Sequence, residues 1–121
     1  GIVFAEIAAG GPADIAAAVK AARKAVEEGP WGRMTATERG RLLMRLARLV
    51  EDRAEELAAL EARDTGKPMR LARGDIAVLA RYFEYYGSAA DKVHGETIPF
   101  MDGYLVTTQW EPLGVTGHII P

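Results

Sequence analysis

Residues equipped for chemistry are sparse in this 121-residue chain, which has two histidines, no cysteine and one lysine-bearing turn, Thr65-Gly66-Lys67-Pro68. Without a thiol the 121 residues offer no disulfide, no thiolate metal ligand and no thiol nucleophile. The turn superficially resembles a phosphate loop, but the spacing G-x-x-x-x-G-K-[ST] is missing and a proline follows the lysine. Its glycine fits a helix end better, with Gly66 in the left-handed conformation. Asp64, just before it, either solvates that helix end or serves a ligand. His94 and His118 have neither H-x-x-x-H nor H-x-H spacing, so structural, hydrogen-bonded histidines are expected rather than zinc ligands. Tyr82, Phe83, Tyr85 and Tyr86 stand at helical spacing with no basic groove beside them, which favours core packing over a base-stacking platform. No nucleophile turn accompanies a Ser/His/Asp set, and no G-x-G-x-x-G is present. Residue types alone therefore outline no catalytic centre.

The elements that would position these residues are mostly helical. From Ala13 onward, Ile15, Ala18, Val19, Ala22 and Val26 recur at helical spacing with charged residues opposite, until Gly29-Pro30 stops the pattern. Thr35-Ala36-Thr37-Glu38 has the form of a capping box and predicts a helix start. Leu42, Leu43, Leu46, Leu49, Val50, Leu57 and Leu60 form the following stripe, which the polar Glu51-Asp52-Arg53 stretch can bend or break before Gly66 and Pro68 end it. A third helix is expected over 70–90, with Ile76, Leu79, Phe83 and Tyr86 as its apolar stripe.

Extended structure is expected at both ends and in one hairpin. Residues 2–7 read as an edge strand or extended lead-in, closed by Gly10-Gly11-Pro12. Residues 96–100 and 104–110 read as strands around the turn Met101-Asp102-Gly103. The run 114–121, Gly-Val-Thr-Gly-His-Ile-Ile-Pro, has the pattern of a strand buried on both faces, as in parallel sheets. Such a strand needs neighbours and covering helices, so the chain is expected to be a piece of a larger protein.

About half of the residues are apolar and the formal net charge is −2, a balance that excludes a disordered composition and gives no electrostatic reason to expect nucleic acid or an anionic membrane as partner. No apolar stretch approaches the ~20 residues that span a bilayer. A cytoplasmic setting is the expectation.

Four segments in order carry a resemblance. They are residues 32–43 (GRMTATERGRLL), 60–68 (LEARDTGKP), 85–99 (YYGSAADKVHGETIP) and 111–121 (EPLGVTGHIIP). Together they resemble the amino-terminal part of the NAD(P)-dependent aldehyde dehydrogenase family, over nearly the whole chain from about Pro12. The resemblance implies an α/β fold: residues 1–96 would be a helical part of the cofactor-binding domain, 97–113 a β-hairpin arm of the oligomerisation domain, and 114–121 the first strand of the dinucleotide-binding sheet. It also implies a parent enzyme that oxidises an aldehyde to a carboxylic acid with NAD or NADP and assembles as a homodimer or homotetramer.

The family's catalytic cysteine, general-base glutamate and oxyanion asparagine belong to later sequence, so no residue here is assigned a catalytic role. By resemblance Ile119, Ile120 and Pro121 sit at the edge of the dinucleotide site, where open α/β sheets bind ligands at strand ends. Asp64, as the aspartate of the D-T-G-K motif, would help bind a monovalent cation, as in some members. Gln109-Trp110 departs from the arginine that members often carry before Glu-Pro. The chain alone is expected to be inactive and to aggregate, dimerise through the arm or stay loosely helical. The alternative from another class is a stand-alone helical protein-interaction module derived from the family.

Overall fold

Helix-forming patterns dominate the first three quarters of the sequence, and the computed structural model, which describes residues 2–3 and 5–119, resolves them into four α-helices and one short hairpin. The chain divides into two units, residues 1–33 with 111–121 and residues 34–110.

In the first unit, α1 (Pro12–Glu27) starts where Pro12 presets the helical φ and the Asp14 carboxylate accepts the Gly11 N–H at 2.8 Å. It ends where the N–H groups of Glu28 and Gly29 both bond to the Lys24 carbonyl. A 3₁₀ turn follows at Trp31–Arg33. The apolar stripe is as expected, yet no residue of α1 is buried. The described residues of 2–7 form no strand and lie exposed, and residues 114–119 likewise join no ladder. This departs from the strand expected over 114–121. A strand is held by its neighbours' hydrogen bonds, and no strand lies beside this run among the described residues; Ile120 and Pro121 fall outside them.

In the second unit, α2 (Ala36–Asp52) opens with the expected capping box: the Thr35 hydroxyl accepts the Glu38 N–H at 3.2 Å and the Glu38 carboxylate accepts the Thr35 N–H at 2.7 Å. The polar stretch does break the helix, at Arg53, and α3 (Ala54–Thr65) continues beyond it. Gly66 caps α3 with φ 74°, a conformation that costs a Cβ-bearing residue but not glycine. The long α4 (Met69–Ala89) then packs along both α2 and α3.

Of the expected stripes, Val50, Leu57, Ile76 and Phe83 belong to or pack against the core, while the rest of it differs. It is built from Val50, Ala58, Ala72, Ile76 and Ala80, with Ala54, Leu57, Ala62, Met69 and Phe83 packed against it. Gly40, Ala47 and Gly87 are buried too, whereas Leu46, Leu49, Leu60, Leu79 and Tyr86 are exposed. Close helix approach explains the exchange, since large side chains cannot occupy the line of contact. A Cβ on Gly40 would sit 2.4 Å from the Gly87 carbonyl oxygen, and one on Gly87 would sit 3.0 Å from that of Gly40. The helices cross backbone to backbone, and the leucines are displaced to the flanks.

The hairpin pairs β1 (Thr97–Ile98) with β2 (Val106–Thr107) in antiparallel register, Thr97 opposite Thr107 and Ile98 opposite Val106. Its turn is where the glycine predicts it, closed by the Tyr104 N–H on the Met101 carbonyl at 3.2 Å. The rings of Phe100 and Tyr104 meet edge to face across that turn, with centroids 5.7 Å apart. The ladder is shorter than residues 96–110 suggest, because two strands alone hold little extended structure without a third or a covering helix.

Candidate functional site

The Thr65-Gly66-Lys67-Pro68 turn is a helix stop whose groups bind one another. The Thr65 hydroxyl donates back to the Glu61 carbonyl at 2.7 Å, and the Gly66 N–H bonds to the Ala62 carbonyl at 3.0 Å. Pro68 then supplies its carbonyl to the N–H groups of Leu71 and Ala72, which begins α4. Lys67 reaches across the turn, its ammonium 2.7 Å from the Glu61 carboxylate on α3 and 2.5 Å from that of Asp75 on α4. These two acceptors, Asp75 foremost, push the Lys67 pKa up to about 12. With its charge met on both sides by carboxylates, the lysine ties α3 to α4 and is not presented to a phosphate. A second tie joins the same helices, where the Arg73 guanidinium forks onto the Glu55 carboxylate with contacts of 2.8 and 2.9 Å.

Asp64 lies exposed in the last turn of α3, one residue before Thr65. No group of three or more His, Asp or Glu side chains able to hold a metal ion occurs among the described residues. His94 is exposed in the segment after α4, and the His118 ring nitrogen Nε2 lies 3.1 Å from the Thr116 hydroxyl.

Ile119, the one described member of the expected dinucleotide site, is fully exposed. A nicotinamide dinucleotide needs backbone N–H groups converging on its pyrophosphate, at a helix N-terminus, and a carboxylate or cation on the ribose. The Ile119 side chain offers apolar surface alone, so the pyrophosphate and ribose contacts of such a site would come from other residues. Ile120 and Pro121 lie outside the described residues.

Two features escaped the sequence reading. An open cleft of about 350 Å³ lies at the hairpin root, lined by Glu96, Thr108, Gln109 and Trp110. Reciprocal bonds hold its floor: the Thr108 N–H to the Glu96 carbonyl and the Glu96 N–H to the Thr108 hydroxyl, both at 2.9 Å. The second is the aromatic face of α4. Tyr82, Tyr85 and Tyr86 were expected in the core, but all three are more than half exposed, and only Phe83 packs inward. Ala72, Ile76, Ala80 and Gly87 already fill the line of contact, so the tyrosines turn outward.

Comparisons with known proteins agree on one family. The model described as "Aldehyde dehydrogenase family" matches residues 1–121. The chain is 52% identical over its whole length to an aldehyde dehydrogenase family 2 member B4, mitochondrial, of Arabidopsis thaliana, and 50% identical to a mitochondrial benzaldehyde dehydrogenase of Antirrhinum majus. It covers 23% of each, so the chain spans about a quarter of the length of the curated relatives it matches. Among solved structures, the NAD+ complex of an aldehyde dehydrogenase from Bacillus cereus superposes with a TM-score of 0.79 at 48% identity, covering 84% of this chain and 21% of that one.

Proposed function

The chain belongs to the aldehyde dehydrogenase family, and we propose that it forms the amino-terminal part of an enzyme that oxidises an aldehyde to its carboxylic acid with NAD+ or NADP+ as hydride acceptor. The observation that supports this most is the match itself, which covers all 121 residues and includes 52% identity to a dehydrogenase. In this reading residues 1–96 are scaffold for a cofactor domain, 97–113 an arm through which copies assemble as a dimer or tetramer, and 114–121 the first strand of the dinucleotide sheet. Asp64 would contribute one ligand to a monovalent cation. A cytoplasmic location belongs to the same proposal; the mitochondrial names are those of the relatives.

Aldehyde oxidation of this kind needs a nucleophile on the carbonyl carbon and donors for the resulting oxyanion. The chain has no cysteine to supply a thiolate. We therefore assign it a scaffolding role, with no turnover by the 121 residues alone. A chimera tests this: residues 1–121 replace the matched segment of the Bacillus cereus enzyme, and NAD+ reduction is followed at saturating aldehyde. The chimera is expected to turn over while the isolated chain does not. A chimera that assembles with native-like circular dichroism yet stays inactive would overturn the proposal, as would turnover by the isolated chain.

A further inference from the structure

We draw no further inference here: the strongest candidate, the surface patch on α2 where exposed Leu46 and Leu49 run beside Arg41, Arg45 and Arg48, is an unpartnered helix face, and nothing in the structure shows what covers it.

Discussion

Helices α1 and α4 carry the same kind of sequence signal, a row of apolar residues backed by charge, yet α4 buries Ala72, Ile76, Ala80 and Gly87 while α1 buries nothing. The difference lies in what each meets. Within its unit α4 runs against both α2 and α3, whereas the described neighbours of α1 in its own unit amount to a 3₁₀ turn and extended chain. Amphipathicity states that a helix has a face to bury; it does not supply the surface that buries it. Most helical stability comes from such tertiary packing and not from propensity, so the two helices should respond very differently to the same substitution.

The largest effect is expected at the centre of the buried seam. Ile76→Ala removes the largest side chain in the core and should cost about 2–4 kcal/mol, read as a lowered midpoint in urea unfolding followed by far-ultraviolet circular dichroism. Its counterpart Ile15→Ala on α1, where the side chain is exposed, should change stability by no more than about 0.5 kcal/mol. Equal losses at the two positions would erase the contrast.

A glycine pair sharpens the same comparison within the second unit. Gly40→Ala places a methyl 2.4 Å from the Gly87 carbonyl oxygen, and the overpacking should outweigh the gain in helix propensity, for a net loss of about 1–3 kcal/mol. Gly74→Ala on α4 meets nothing within 4 Å and should instead stabilise by about 0.5–1 kcal/mol. Opposite shifts of the urea midpoint are the expected result. A stabilising Gly40→Ala would show that the backbone crossing is not the close contact described.

The smallest effect is electrostatic. The Glu38 carboxyl is held below its ordinary value of 4.5, first by the Thr35 backbone N–H and then by the Thr35 hydroxyl. A depressed carboxyl pKa contributes stability that is present above the ordinary value and lost as pH falls through the lowered one. The melting temperature of Glu38→Gln should thus lie slightly below that of the unchanged chain at pH 7, with the gap closing as the pH falls from the ordinary value of 4.5 through the lowered one. A gap that persists unchanged to low pH would mean the carboxylate charge contributes nothing at this cap.

Local signals carried the sequence furthest. The start of α2, its break at Arg53, the glycine cap at Gly66, the Pro12 and Gly29 boundaries of α1 and the turn before Tyr104 all depend on interactions within a few residues, and each is where the residue types place it. The four motifs that resemble aldehyde dehydrogenases were equally legible, and the comparisons bear out the family. The candidate site was less so. The ion pairs of Lys67 join residues six and eight positions away on two helices, and the cleft at the hairpin root needs Glu96 folded against Thr108. One signal pointed to the crossing: Gly40 and Gly87 lie inside helices, where glycine is costly without a packing reason.

The sequence by itself determined which segments are helical, where each begins and ends, and which family the chain belongs to, because caps, turns and motif order are written in neighbouring residues. Only the tertiary structure decided which face of each helix is the core. Two backbones that approach as closely as those at Gly40 and Gly87 leave room for glycine alone at that point, so Leu46, Leu49, Leu79 and Tyr86 lie on the flanks while Val50, Ile76 and the buried alanines form the core.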